Sequence, residues 1–394
     1  MFCAARHKGV VTMADFHYAV DTECYIGPDT LFKLPFLAGK HTNRIILIAD
    51  PNLAEHGILE KVQTTMNGRG IETILFDELG KTADSSAVDT AVQLAKGSRA
   101  PLIIGLGGIR ALHCAKAVAC LAPDTLTVPA WLDGEPLRTE PLNLMLIPTT
   151  LRDPFLLSGE CIITDSRNSA AVHATAGKGI EKAVILDPNL ASGLSQKMKA
   201  AAVLDGMMSV AEGLFSTKAN FYADLLLNKA MVLYVEALNT VIKRPDDPEG
   251  LETACQAQFL AALGLATTSP GLGTAISYAI NSRWQIPKAN IATVVLPYLL
   301  EELASIQVEK IAHLHFLFGE EKRDENADQK ADYVIESLRT QLGLLKIPSR
   351  LKDFELNLEY LVQTAEVARS MSFLSFHPRN ITVDEIFDFI KKIY

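Results

Sequence analysis

The chain has 394 residues, of which 48% are hydrophobic and 21% charged, and its formal net charge at pH 7 is -9. This composition is ordinary for a folded globular protein and excludes an intrinsically disordered chain, and the length suits two domains better than one. An acidic chain without a basic run argues against nucleic acid or an anionic membrane as its main partner. We therefore expect a small molecule or a protein as the partner.

The cysteines and the amino end indicate a cellular compartment. The chain has 6 cysteines and no C-x-x-C pair, which is typical of a protein from a reducing compartment. Arg6, His7 and Lys8 interrupt any apolar run at the start, and no stretch reaches the roughly 18 apolar residues of a membrane span. We expect a cytoplasmic protein, and we expect Met1–Thr12 to be disordered because it has no periodic apolar face.

The first half of the chain alternates short β-rich runs with helical stretches. Such alternation predicts a parallel, doubly wound sheet. The predicted strands are Arg44–Asp50, Glu72–Phe76, Pro101–Gly105, Leu142–Ile147, Gly159–Thr164 and Lys182–Leu186, and the predicted helices between them are Asn52–Gly68, Asp84–Lys96 and Ile109–Leu121.

After Asp187 the β signal almost vanishes, and the apolar residues recur at helical spacing. The helices predicted there are Ser195–Thr217, Phe221–Val241, Gly250–Leu265, Thr274–Asn281, Asn290–Val308, Val334–Leu342, Leu356–Ala368 and Val383–Ile393. We predict a Rossmann-like α/β domain of the dinucleotide-binding type over residues 1–187 and an all-helical domain over residues 188–394.

Five segments, in order, resemble the iron-containing alcohol dehydrogenase family. Their family patterns are GGGS-x-x-D-x-A-K, IPTT-A-G-T-G-S-E, G-M-D-A-x-x-H-x-x-E-A, G-x-x-H-x-x-x-H through PHG-x-x-N-A-x-x-L, and a closing NPR-x-x-T-x-E-D-I helix. The segments here are Gly105–Ala119, Ile147–Asp165, Val203–Gly213, Gly271–Leu296 and His377–Lys391. The resemblance implies a dehydroquinate synthase-like fold, an NAD(P)-dependent alcohol dehydrogenase activity and a dimer or larger assembly.

The same resemblance implies a divalent metal, which the family binds through one aspartate and three histidines. Asp205 stands at the aspartate position, and the histidine positions are Ser209, Thr274 and Lys288. A further family histidine, near the nicotinamide, corresponds to Tyr278. Serine, threonine and an ammonium group cannot hold iron or zinc as imidazoles do. We therefore expect no metal in this cleft.

Lys288 is the one cation among these positions, and we expect it to lie within salt-bridge distance of Asp205, where it would replace the missing positive charge. Two interpretations of the pair are open. It is either a structural ion pair between helices, or a catalytic pair in which Lys288 protonates or polarises a carbonyl group in place of the metal.

The predicted dinucleotide site is altered as well. Gly107 and Gly108 remain from the glycine-rich turn, whereas Ile109 and Arg110 stand at the positions of the third glycine and the serine. Glycines let backbone N–H groups approach a pyrophosphate, so Ile109 would narrow the approach, while Arg110 could bind phosphate through its side chain. A tight strand–helix turn without a ligand explains the two glycines equally well.

In the second cofactor loop, Thr149 and Thr150 remain, but Leu151–Leu156 replaces the small residues of the family pattern. The family loop lies along the cofactor. We therefore expect Pro154, Phe155 and the leucines to block the nicotinamide half of the site. An open loop would favour a dehydrogenase, and a plugged loop would favour a scaffold.

Other side chains allow two interpretations each. Asp50 ends the first predicted strand, where the resemblance implies contact with the adenine ribose, but it could instead cap the helix that follows. Arg110 and Arg152 are either solvated surface residues or the walls of one cleft that holds a phosphate or carboxylate. His113 and Cys114 point about 100° apart on a helix, so we regard their adjacency as incidental.

Three classes of function remain open. The altered metal and nicotinamide positions favour a pseudoenzyme or ligand-binding scaffold, in which NAD(P) binds weakly and no iron or zinc is present. The alternative is a metal-independent NAD(P)-dependent oxidoreductase acting on a small alcohol or aldehyde. The third is different chemistry on a small anionic ligand in the same cleft. In each case we expect a homo-oligomer, with a dimer implied by the resemblance.

Overall fold

The computed structural model describes residues 18–177, 179–319 and 325–394. Strands and helices alternate in its amino-terminal part, and helices make up its carboxyl-terminal part. This confirms the predicted fold class. The disorder that we expect for Met1–Thr12 lies outside the described residues and stays a prediction.

The main sheet has six parallel strands within the described chain. Its central strands are continuous apolar runs that are buried on both faces, as is usual for a parallel sheet covered by helices. In spatial order the strands are β1 (Glu23–Ile26), β8 (Glu181–Leu186), β5 (Asn143–Pro148), β4 (Leu102–Gly107), β2 (Arg44–Ala49) and β3 (Glu72–Phe76).

The connections reverse direction between β2 and β4. From β2 the chain moves outward to β3 at the edge and then returns to β4 on the other side of β2. A crevice opens at the carboxyl ends of the strands where the winding reverses, and ligands of such folds bind there. The helices of this half are α1 (Leu34–Gly39), α2 (Ile58–Asn67), α3 (Ser85–Ser98), α4 (Ile109–Leu121) and α5 (Val128–Leu132).

One predicted strand does not belong to the main sheet. β6 (Glu160–Asp165) pairs in antiparallel fashion with β7 (Ala170–Thr175), and the two form a separate hairpin. Neither β7 nor the short edge strand β1 was predicted. β1 has only 4 residues of mixed exposure, so it lacks the long apolar run that marks the central strands.

The helical part follows β8. Its helices are α6 (Gln196–Phe215), α7 (Phe221–Lys243), α8 (Pro248–Leu265), α9 (Leu272–Trp284), α10 (Lys288–Ala312), α11 (Ala327–Leu344), α12 (Leu361–Ser370) and α13 (Val383–Ile393). Two of them, α7 and α10, are long and apolar enough by composition to cross a membrane, but 50% and 56% of their apolar segments are buried inside the fold. Core helices of large domains have the same character, so these two helices are weak evidence for a membrane.

Candidate functional site

A cleft lies where β2 and β4 end. It contains two cavities of about 430 Å³ and 560 Å³, here called the first and second cavity. Both are lined by Asp50, Asn52, Thr150 and Met198, so they adjoin. The position agrees with the crevice expected at the reversal of winding, and a concave site of this size is the usual place for a small ligand.

The floor of the cleft contains a buried carboxylate with two cations. Asp205 lies on α6, and its side chain has no exposed surface. Nζ of Lys288 lies 2.5 Å from Oδ1, and Nη1 of Arg152 lies 2.6 Å from Oδ2. The predicted Asp205–Lys288 ion pair is therefore present. We did not predict the contact with Arg152, because we had grouped that residue with Arg110 as a possible ligand for a phosphate or carboxylate.

The other two positions equated with metal ligands make different contacts. Oγ of Ser209 donates to the backbone carbonyl of Asp205 at 3.2 Å and leaves the carboxylate alone. Thr274 donates to Glu212 twice, from its backbone N at 3.0 Å and from its hydroxyl at 2.6 Å. Burial raises the pKa of Glu212 above its ordinary value, although the bonds from Thr274 oppose this. The two hydroxyls are thus occupied within the protein.

Tyr278 lies beside the ion cluster. Its ring centroid is 5.0 Å from Nζ of Lys288, which is a cation–π distance. Its hydroxyl is buried and has no hydrogen-bond partner among the described residues, and burial raises its pKa well above the ordinary value. The residue lines the first cavity, although the hydroxyl itself has almost no exposed surface.

The glycine turn is built around Asp50. Gly107 has φ 148°, and a Cβ there would lie 2.6 Å from Oδ2 of Asp50, so a side chain does not fit. Oδ2 accepts from the backbone N of Gly108 at 2.5 Å, and Oδ1 pairs with Nε of Arg110. The carboxylate of Asp50 thus occupies the amino terminus of α4, where a phosphate group would be expected.

One interpretation of Asp50 is therefore wrong. Its side chain makes no capping bond to the short 3-10 helix Pro51–Leu53 that follows it, because both oxygens are directed at the α4 turn. Contact with an adenine ribose stays a prediction.

The two arginines are not solvated surface residues, and that interpretation is also wrong. Their side chains are only 21% and 10% exposed, and Arg110 and Arg152 line the first cavity together. Each already pairs with an acid of the protein, Asp50 and Asp205 respectively. Of the two threonines, Thr149 donates its backbone N–H to the backbone carbonyl of Gly107, whereas the hydroxyl of Thr150 has no partner within the described chain.

The loop Leu151–Leu156 does not plug the cleft in the way that we expected. Of this loop, which the structure describes completely, Arg152 alone lines the first cavity. Phe155 is 1% exposed and packs with its ring 5.6 Å from His173 and 5.8 Å from Phe373. The apolar side chains turn into the core because burial there removes more of their surface from water than a wet cleft would. The apolar residues of this loop therefore do not fill the first cavity, and a block of the nicotinamide half of the site stays a prediction.

A buried histidine–carboxylate contact lies behind the same wall. Nε2 of His113 is 3.4 Å from Oδ1 of Asp153, and both side chains are almost fully buried. Burial opposes the charge on Asp153, but His113 and Lys116 nearby hold its pKa at about 2. His113 lines the first cavity and Cys114 does not, so the two are indeed no shared site, although His113 itself belongs to the cleft. In the resemblance, His113 stands at the position of the aspartate in the family's GGGS-x-x-D pattern, and this was the signal that could have placed it in the cleft.

Comparisons with known proteins extend over nearly the whole chain. It is 23% identical to alcohol dehydrogenase 4 of Saccharomyces cerevisiae, over 95% of this chain and 98% of that one. It is 20% identical to lactaldehyde reductase of Escherichia coli, over 87% and 90%. Among solved structures, a halo-thermophilic archaeal alcohol dehydrogenase from a Red Sea brine pool superposes with a TM-score of 0.89 at 18% identity, covering 98% of this chain and all of that one.

Family models match both parts of the chain. The model described as iron-containing alcohol dehydrogenase matches residues 21–188, and the model of that family's C-terminal region matches residues 199–394. The structural likeness, at under 25% identity, supports the fold, and the family models support an alcohol dehydrogenase-like function. The chain belongs to the iron-containing alcohol dehydrogenase family.

Proposed function

We propose that this family member binds no transition metal at the family's metal position and acts as a ligand-binding protein, a pseudoenzyme on an alcohol dehydrogenase fold. One observation carries the proposal. Both oxygens of Asp205 are engaged by cations of the protein, Lys288 at 2.5 Å and Arg152 at 2.6 Å. An ammonium and a guanidinium group have no lone pair to offer a metal ion, and they supply the positive charge that the ion would bring.

The neighbouring donors do not fit iron or zinc either. The hydroxyls of Ser209 and Thr274 are held by acceptors of the protein and are poor ligands for either metal. Within residues 18–177, 179–319 and 325–394 there is no cluster of three His, Cys, Asp or Glu side chains that could hold a metal ion. This donor set supports a cleft in which protein cations have replaced the metal.

The contacts at the glycine turn support the proposal that NAD(P) binds only weakly. The backbone N–H of Gly108 and the guanidinium of Arg110, two groups suited to phosphate, already bond Asp50. Ile109, in place of a third glycine, lines the same cavity. A phosphate group would have to displace a carboxylate that is held by two donors. The residues as arranged do not fit a pyrophosphate at this turn.

A second candidate is a metal-independent NAD(P)-dependent oxidoreductase. The observation in its favour is that the apolar side chains of Leu151–Leu156 lie in the core and leave the cleft open. Lys288 would then act as the proton donor to a carbonyl oxygen. Against it, the side chain of Lys288 has no exposed surface, so a substrate could not reach Nζ without rearrangement. We therefore favour the binding protein, and we keep a homodimer and a cytoplasmic location as predictions.

The test begins with protein purified without chelators. We expect far less than one iron or zinc per chain by elemental analysis, no rise in the thermal midpoint with added Fe²⁺ or Zn²⁺, and no oxidation of small alcohols with NAD⁺ or NADP⁺. One equivalent of bound metal would contradict the proposal. Metal-free turnover that is lost in Lys288→Met but kept in the surface variant Arg69→Gln would instead establish the oxidoreductase.

A further inference from the structure

The first cavity carries an excess of positive charge. Four cations line it, and the one acid that lines it among the described residues is Asp50; the cations are Lys81, Arg110, Arg152 and Lys288. Asp205, the buried carboxylate in the floor of the cleft, pairs with two of them. Four cations against two carboxylates leave two positive charges in excess. A ligand with two negative charges would balance them.

Arg152 has donors to spare. Its Nη1 bonds Asp205, whereas Nε and Nη2 have no acceptor in the described part of the protein. Its side chain is 10% exposed, in contrast to the sealed side chain of Lys288. The guanidinium fork can therefore hold an incoming carboxylate while it still satisfies Asp205.

Two unpartnered hydroxyls belong to the same cavity. Oη of Tyr278 and Oγ1 of Thr150 are buried atoms without a hydrogen-bond partner among the residues described, and both residues line the first cavity. Tyr278 as a whole is 3% exposed. Buried hydroxyls are nearly always hydrogen-bonded, because an unsatisfied one destabilises the fold. These hydroxyls and the free donors of Arg152 belong to the lining of one cavity, and a ligand oxygen would satisfy them.

The remaining wall selects an organic ligand over an inorganic one. Ile109, Ile162 and Ala171 present apolar surface to the first cavity, which suits a carbon chain. A nucleotide phosphate is disfavoured, because Asp50 already occupies the amino terminus of α4.

We propose that the first cavity binds a small aliphatic dicarboxylate. One carboxylate accepts from the free donors of Arg152 and, after a side-chain rearrangement, from the buried hydroxyls of Tyr278 and Thr150. The other is neutralised by the exposed Lys81, while Arg110 stays paired with Asp50. This inference rests on the proposed function, since a metal ion bound by Asp205 would displace Arg152 from its oxygen.

The experiment is isothermal titration calorimetry of the full chain with succinate and glutarate. Succinamide, inorganic phosphate and ADP serve as probes for neutral, inorganic and nucleotide ligands. Arg152→Gln keeps Lys288 on Asp205, and Tyr278→Phe removes a hydroxyl without a hydrogen-bond partner in the described part of the chain, so both variants should fold. Arg69→Gln makes the same charge change as Arg152→Gln but lies outside both cavities.

We expect one site for succinate or glutarate, at least tenfold weaker in Arg152→Gln and severalfold weaker in Tyr278→Phe, with Arg69→Gln equal to wild type. Succinamide and phosphate should bind at least tenfold more weakly than the dicarboxylates. Absence of dicarboxylate binding, equal affinity in all variants, or tighter binding of phosphate or ADP would each overturn the inference. If the protein is metal-free but does not bind a dicarboxylate, the proposed ligand is refuted and the proposed function stands. If the protein contains one metal ion per chain, both proposals are refuted.

Discussion

The guanidinium of Arg152 lies 2.6 Å from Oδ2 of Asp205, on the carboxylate oxygen that Lys288 leaves free. Asp205 is therefore bound by two cations at once, one fully buried and one at the edge of the cavity. One cation is enough to neutralise the carboxylate of Asp205. The second cation therefore leaves a net positive charge, and it faces the cleft. This relationship links the stability of the floor of the cleft to the kind of ligand that the cleft can accept.

We predict that Asp205→Asn destabilises the fold more than Lys288→Met does. Asp205→Asn leaves two cations without their acid, at a cost of about 3–5 kcal/mol for a broken buried pair. Lys288→Met leaves Asp205 with Arg152, so the loss should be closer to about 1–3 kcal/mol, as for one lost partner. Urea denaturation of both variants measures the difference.

The double variant Asp205→Asn with Lys288→Met should recover part of the loss seen with Asp205→Asn alone. Arg69→Gln, on the surface, should change the stability by less than about 0.5 kcal/mol. If Lys288→Met were as stable as the wild type, the substitute-cation role of Lys288 would be ruled out.

Imidazoles at the three positions equated with the family's histidines should create a metal site. On an Arg152→Gln background, which frees one oxygen of Asp205, we expect Ser209→His, Thr274→His and Lys288→His together to bind one Fe²⁺ or Zn²⁺ per chain. Chelator should then lower the thermal midpoint, because a ligand at 100 times its Kd stabilises by about 2.7 kcal/mol. A folded variant without bound metal, checked by circular dichroism and elemental analysis, would show that the four positions do not surround one metal site.

Removing the carboxylate of Asp50 separates two roles by the sign of the effect. If Asp50 excludes phosphate from the α4 turn, Asp50→Ala frees the N–H of Gly108 and the guanidinium of Arg110, and ADP should bind at least tenfold more tightly. If Asp50 instead holds the adenine ribose, the same change should weaken ADP binding. Asp133→Ala, whose acid pairs with Arg167 on the surface, is the matched control for calorimetry.

The protein should become less stable as the pH falls, because His377 is buried as a neutral ring. Burial, assisted by the charge of Arg379, lowers the pKa of His377 from 6.5 to about 4, so the folded state prefers the neutral ring. Between pH 6.5 and 4 the unfolded chain takes up the proton first, and up to roughly 3 kcal/mol of stability is lost as the pH falls. The free energy of unfolding, measured with urea at each pH, should change less steeply with pH in His377→Leu than in the wild type within this window. Above pH 7 the two proteins should show the same pH dependence. Parallel curves throughout would refute the assignment.

The sequence by itself determined the order and type of most elements. Ile109–Leu121 and Val383–Ile393 were predicted with the bounds that the structure has. Val383–Ile393 has one apolar face at helical spacing, whereas Ile109–Leu121 is apolar nearly all round and is buried at every residue except Arg110. β1 and β7 were missed, and β6 was assigned to the sheet rather than to its hairpin. Strand pairing depends on contacts between distant segments, which local periodicity does not encode.

For the site, the sequence determined the residue types at the positions that the resemblance equates with metal ligands. That correspondence was enough to predict the Asp205–Lys288 pair. Only the tertiary structure decided where Arg152 and Phe155 point. They lie three residues apart in one loop, yet the guanidinium reaches a buried carboxylate on α6 while the ring turns into the core. Whether a loop residue faces a cleft or a core depends on the groups that surround it in space. Arg152 is placed by its ion pair with a buried carboxylate, and Phe155 is placed by the burial of its apolar ring.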